Sequence, residues 1–102
     1  MGKEKYCLYL DDKRDPKTEK DWIVVRSFEE FKKVIEERGI PHHMSLDHDL
    51  GENEPNGLDC VNWLIENELV PYSFNIHSAN PVGAKNMRSK LRQWKEFQKD
   101  EK

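Results

Sequence analysis

His43-Met44-Ser45-Leu46-Asp47-His48-Asp49-Leu50 is a short apolar run that ends in two carboxylates and an imidazole. A carboxylate at the buried end of a strand loses its hydration unless a cation, a donor network or a substrate compensates it. Clusters of this kind therefore tend to be sites rather than packing. Two other stretches have the same form. Tyr6-Cys7-Leu8-Tyr9-Leu10 runs into Asp11-Asp12, and Phe74-Asn75-Ile76 runs into His77-Ser78-Ala79-Asn80. Three apolar segments that each stop at chemically competent residues fit a parallel sheet whose strand ends meet along one edge.

Outward from these stretches the chain alternates strand and helix. The first strand, residues 5–10, is nearly continuous in apolar residues, as a central strand covered on both faces would be. Pro16 and a polar run leave few residues before Trp22-Ile23-Val24-Val25, so one or two helical turns are expected between strands 1 and 2; an antiparallel first pair is the alternative. Ser27-Phe28-Glu29-Glu30 reads as a capping box, with the Glu30 carboxylate reaching back to the Ser27 amide. Phe28, Phe31, Val34 and Ile35 follow at helical spacing, and Gly39 with Pro41 stops that helix. The third strand, residues 43–46, opens into a turn-rich loop at 51–55. Asn56 then caps a helix with Leu58, Val61, Leu64 and Ile65 inward and Trp63 at its edge. A fourth strand at 72–76 leads to Asn80 as cap and Pro81 as first residue of the last helix, whose core face is Ala84, Met87, Leu91 and Trp94. Lys85, Arg88, Arg92, Lys95 and Lys99 form a basic stripe on its flank.

With 102 residues, 36% charged and 35% hydrophobic, the chain is read as one soluble domain, residues 1–102. No apolar run reaches membrane length, and the first five residues lead into no secretory apolar segment, so a cytoplasmic location is expected. Cys7 and Cys60 lack metal spacing and read as buried free thiols. Residues 1–84 carry 10 Lys+Arg against 17 Asp+Glu, whereas residues 85–102 carry 7 against 3. An acidic body with a basic tail disfavours duplex DNA as a partner.

On the parallel-sheet reading, Asp11, Asp12, Asp47 and Asp49 converge with His48, His77, Ser78 and Asn80 at the carboxyl ends of the strands, near the switch between strands 1 and 3. A hard divalent cation relieves the repulsion among the carboxylates. Oxygen ligands suit Mg²⁺, and imidazole extends the choice to Mn²⁺, Zn²⁺ or Fe²⁺. Helix N-termini, Ser78, Asn80 and Arg14 supply donors for an anion. Each group also has a structural reading: a solvated turn for Asp11-Asp12, a polar loop start for Asp47-His48-Asp49, and a helix cap for His77-Ser78-Ala79-Asn80. Their coincidence at one edge favours a site. His42 and His43, at the opposite end of strand 3, read as loop and edge residues, and the basic stripe reads first as a solvated face.

Leu8-Tyr9-Leu10-Asp11-Asp12-Lys13-Arg14, Ser45-Leu46-Asp47-His48-Asp49-Leu50-Gly51 and His77-Ser78-Ala79-Asn80-Pro81-Val82-Gly83 through Asn86-Met87 resemble, in order, the motifs of the cyclic-phosphate-processing receiver-like domains, an offshoot of the response-regulator receiver fold. The resemblance implies a receiver-like, flavodoxin-like three-layer α/β sandwich with a mainly parallel four-stranded sheet in the order 2-1-3-4, lacking a fifth strand. Asp11-Asp12 resemble a receiver's acidic metal pair, Asp47 its phosphate-accepting Asp, and Ser78-Ala79 its hydroxyl-bearing switch dipeptide. His48, Asp49 and His77 are additional, and the Lys that receivers place after strand 5 has no counterpart. That pattern weakens a phosphorelay and adds imidazoles that work near neutral pH.

The expected function is that of a metal-dependent phosphoesterase acting on a cyclic phosphate, either a 2′,3′-cyclic RNA end or a cyclic nucleotide derivative. Asp11, Asp12 and Asp47 would hold Mg²⁺ or Mn²⁺, with Asp49 as a further ligand or neighbour. His48, His77 and Asp47 are the catalytic candidates, and Arg14, Ser78, Asn80, Asn86 and Lys85 would bind substrate. The alternatives are a non-catalytic receiver-like module that binds a phosphate ligand or is phosphorylated on Asp47, and a small protein that sequesters a cyclic nucleotide without metal.

Overall fold

The computed structural model describes residues 6–17 and 21–100, with side chains through residue 98. Four strands, β1 (Cys7–Leu10), β2 (Trp22–Val25), β3 (His43–Leu46) and β4 (Phe74–Ile76), and three helices, α1 (Phe28–Arg38), α2 (Gly57–Glu66) and α3 (Pro81–Asp100), follow one another in the order β1-β2-α1-β3-α2-β4-α3. The sheet order is β2-β1-β3-β4 and every pairing is parallel, so the antiparallel alternative for the first pair does not hold. No helix among the described residues is long and apolar enough to cross a membrane.

Register decides what each face of the sheet carries. Leu8 pairs with Ile23 and Met44, and Leu10 with Val25 and Leu46; Met44 and Leu46 in turn pair with Phe74 and Ile76. These even-numbered and in-register residues point to one side, and they join Phe31 and Ile35 of α1, Val61 and Leu64 of α2, and Met87 and Leu91 of α3 in a single core. Cys7, Tyr9, Trp22, Val24, His43, Ser45 and Asn75 alternate to the other side, and none of them belongs to that core. The helices thus form one layer.

The expected third layer is realised differently. Residues 11–17 carry no helix, and the helical turns expected before β2 are absent from them; residues 18–20 lie outside the described residues. The described crossover residues 14–17 border the second face without a helix, and a connection this short leaves few residues for one.

The helix ends follow local chemistry. Ser27 Oγ accepts from the Glu30 amide (3.2 Å), but the Glu30 carboxylate reaches one residue farther back than a capping box requires and accepts from the Arg26 amide (2.7 Å). Gly39, at φ 86°, leaves α1 in a conformation that side chains avoid. At α2 the box is complete: the Asn56 side chain accepts from the Asp59 amide and the Asp59 carboxylate accepts from the Asn56 amide. Trp63 packs edge-on against Phe31 between α1 and α2, and Trp94 Nε1 donates to Leu69 O (2.7 Å), anchoring α3. Cys60 is buried, and burial pushes its thiol pKa far up, so it is inert; Cys7 is only half-buried, on the helix-free face.

Candidate functional site

Leu10, Leu46 and Ile76 stand side by side across β1, β3 and β4. The next residue on each strand therefore emerges on the helix-free face, and these residues are Asp11, Asp47 and His77. Their amides extend the ladder, donating to Val25 O, Leu10 O and Leu46 O at 3.1, 3.0 and 2.9 Å. One ligand atom from each of the three side chains lies within 4.8 Å of the others.

Asp11 is almost fully buried. Its Oδ1 accepts from the amides of Lys13 (2.9 Å) and Arg14 (2.8 Å), and its Oδ2 faces Arg14 Nε and His77 Nε2, both at 3.1 Å. Burial works against its ionisation, yet the two amides, the guanidinium and the imidazole together hold its pKa below the usual carboxylate value. Asp47, also buried, has fewer donors. Its Oδ1 accepts from the His48 amide (2.8 Å), and Arg14 Nη2 is 3.9 Å from its Oδ2. Desolvation, aided by the charge of Asp11, pushes Asp47 above the usual value despite that amide. Two neighbouring carboxylates shifted in opposite directions mark a site where an added cation would be welcome.

The His77 ring is fixed on every side: Nδ1 meets Ser45 Oγ at 2.7 Å, Nε2 meets Asp11, and the ring stacks on Tyr9 at 4.5 Å between centroids. Burial, with the Asp11 charge behind it, raises the Tyr9 hydroxyl pKa. His48 makes a separate pair, its Nδ1–H donating to Asp49 Oδ1 at 2.7 Å, and that bond lowers the Asp49 pKa. A Cβ on Gly83 would lie 2.5 Å from the His48 ring, so the glycine lets α3 start directly against the imidazole.

The expected residues thus separate into groups. Asp11, Asp12, Arg14, Asp47 and Asp49 line one cleft of about 540 Å³ at the strand ends, with Ala79 rather than Ser78 on its far wall. Asp12 is half-buried there and does not belong to the close trio, in which His77 takes the third place. Ser78 Oγ accepts from the Asn80 amide (3.0 Å), and Asn80 Oδ1 caps α3 by accepting from Gly83 N (2.9 Å) while its Nδ2 approaches Asp49 at 3.5 Å. Lys85 and Asn86 are exposed on α3 and line neither this cleft nor the groove beside it, and His48 borders the cleft only through its bond to Asp49.

Three contributors were not singled out from sequence. Ser45 and Tyr9 lie two residues before Asp47 and Asp11 on the same face, a signal that strand alternation contained. Arg26 gave none: from the end of β2 its guanidinium donates to Asp11 O (3.2 Å), Arg14 O (2.8 Å) and the Asp15 carboxylate, holding the crossover loop that carries Arg14.

Residues 6–93 match the family model described as the cyclic-phosphate processing receiver domain. The chain belongs to that family. No curated protein and no solved structure matched it. In this cyclic-phosphate processing receiver domain, Asp11 and Asp47 follow β1 and β3, and His77 takes a place beside them at the end of β4. Two carboxylate oxygens and one imidazole nitrogen are a donor set that suits a divalent cation. Ser45 at Nδ1 holds the imidazole as the outer partner of a ligating His does. The set fits the tautomer that carries its proton on Nδ1, toward Ser45 Oγ, and leaves Nε2 free to ligate beside Asp11 Oδ2.

Proposed function

We propose that this domain hydrolyses a cyclic phosphate ester with the help of a divalent cation held by Asp11, Asp47 and His77. The observation that carries the reading is the convergence of those three side chains from three strand ends within 4.8 Å. The cation would neutralise the paired carboxylates and act as a Lewis acid toward a phosphoryl oxygen. Asp12 and Asp49 border the same cleft as additional oxygen donors.

The remaining chemistry belongs to the side chains. Water adds to phosphorus and releases a proton to solvent, one ring P–O bond breaks, and the departing alkoxide takes a proton from a side-chain acid. His48 would be the acid that delivers it, from Nε2, since its Nδ1 is committed to Asp49, which lines the cleft. Arg14, whose side chain is 53% exposed although its Nε is bound to Asp11, turns its outer edge to the cleft and binds the non-bridging oxygens. Asn80, whose Nδ2 approaches Asp49 at the edge of the cleft, adds a donor at the start of α3.

A panel of cyclic phosphates, assayed with and without Mn²⁺, Zn²⁺ and Mg²⁺, tests the reading. Turnover should require metal and should fall about 10²- to 10⁴-fold in His48→Ala and in Asp47→Asn, with the fold intact. Full activity in both variants rules the mechanism out. Formation of a stoichiometric acyl phosphate on Asp47 from a small phosphodonor, without turnover, would instead make this a receiver in the ordinary sense.

A further inference from the structure

The helix-free face of the sheet is a groove of about 800 Å³, and the crossover residues 14–17 form its rim. We infer that this groove is the surface that holds the nucleoside of a cyclic nucleotide whose phosphate sits at the strand ends. The inference rests on the function proposed above and adds a binding site away from the strand-end cleft.

Continuity is the first argument. Arg14 lines both the groove and the strand-end cleft, and His77, a member of the trio, lines the groove. A ligand whose phosphate sits at the trio has its remaining bulk directed either into solvent or into this groove.

Lining chemistry is the second. A sheet face waiting for a covering helix would carry aliphatic residues. Here the corresponding positions include His43, Ser45 and Asn75 beside Tyr9 and Trp22. Aromatic faces with a few amide and hydroxyl groups on a sheet are what flat heterocycles recognise: rings stack, and the carboxamide pairs with donors and acceptors at the base edge. The Trp22 ring stands at 70° to Tyr9, 5.5 Å away, while Tyr9 lies flat against His77. The indole thus forms one wall, and the Tyr9–His77 stack leads from it toward the phosphate. Asn75 is exposed on the opposite side, its Nδ2 only 3.4 Å from Ser45 Oγ. The volume suits a nucleoside, since sites for small ligands run to about 300–1,000 Å³.

Two esters with the same reactive group separate this inference from its parent: adenosine 2′,3′-cyclic monophosphate and glycerol 1,2-cyclic phosphate. The wild-type protein should prefer the adenosine ester. Trp22→Ala and Asn75→Ala should each lower kcat/KM for that ester about tenfold more than for the glycerol ester, and Trp22→Phe should recover most of the difference. Amide shifts induced by adenosine 3′-monophosphate without added metal provide a readout independent of turnover, and they should map to Tyr9, Trp22 and Asn75. Equal responses of the two esters, or shifts confined to the strand-end loops, overturn the inference while leaving the phosphate chemistry standing. If neither ester is turned over the parent reading fails, and the shift map still decides whether the face binds a nucleoside.

Discussion

Asp47 and Asp11 share one site and have opposite linkage to folding. The pKa of Asp47 is raised in the folded state, so its contribution favours folding below the ordinary carboxyl value of 3.8 and is lost as pH rises through its folded pKa. Asp11 is lowered; its contribution is present above 3.8 and is lost as pH falls through its folded pKa. At neutral pH the metal-free protein thus carries Asp47 as a burden. Asp47→Asn should raise the metal-free melting temperature at pH 7, and the gain should disappear as the pH is lowered into the range where Asp47 protonates. Asp11→Asn should lower it at pH 7, with the loss shrinking in acid. Divalent cations should stabilise the wild type at pH 7 and leave Asp47→Asn almost unmoved. Thermal melts over a pH series with and without Mn²⁺ check all three, and a neutral or negative effect of Asp47→Asn at pH 7 would contradict the burial argument.

Between the strands and helices, two glycines set how closely the elements approach the site. A Cβ on Gly57 would come within 2.0 Å of Asp47 O and 2.7 Å of Met87 Cε, and the Gly57 amide donates to His48 O at 2.7 Å. Gly57→Ala must therefore push α2 off the end of β3, at a cost of about 3 kcal/mol or a melting temperature lower by more than about 10 °C. The three atoms nearest a Cβ on Gly83 all belong to the His48 ring, so Gly83→Ala displaces a side chain where Gly57→Ala meets backbone. It should keep most of the stability and lose turnover about 10- to 100-fold through the displaced acid; a melting loss as large as that of Gly57→Ala would deny His48 this role. Apart from the helical turns expected before β2, the elements were legible in the sequence, because apolar runs, Asn56 and Asn80 caps and the Gly39 stop are local signals. The polar ends of the three strands were equally legible, since desolvation makes such clusters conspicuous. Which of those polar residues meet was not. Register across β1, β3 and β4 puts His77, rather than Asp12, beside Asp11 and Asp47, and register is a property of the assembled sheet. The same limit hid Arg26 and the redirection of Glu30 to the Arg26 amide.

At the scale of the whole molecule, the charge asymmetry acquires a location. Arg88, Arg92 and Lys95 line a groove of about 920 Å³ along the open side of β4 beside the exposed Tyr72. Lys95 is already committed, donating to Pro71 O (3.1 Å) and Tyr72 O (2.9 Å); the side chain of Lys99 lies outside those described. Phe74 and Asn75 line both this groove and the sheet-face groove, so a strand of RNA whose terminal nucleoside lies on the sheet face would leave it across β4 toward Arg88 and Arg92. Joint replacement of Arg88 and Arg92 by Gln should then weaken binding of a short oligoribonucleotide ending in a 2′,3′-cyclic phosphate and reduce the slope of log K against log salt by about 1.4, two phosphate contacts' worth for a single strand. A cyclic mononucleotide ends before it reaches these bases and should bind almost as before. The salt series on both ligands, with wild type and the double variant, distinguishes the cases: if the oligonucleotide loses no more than the mononucleotide, the basic stripe is a solvated face and the substrate is the smaller molecule.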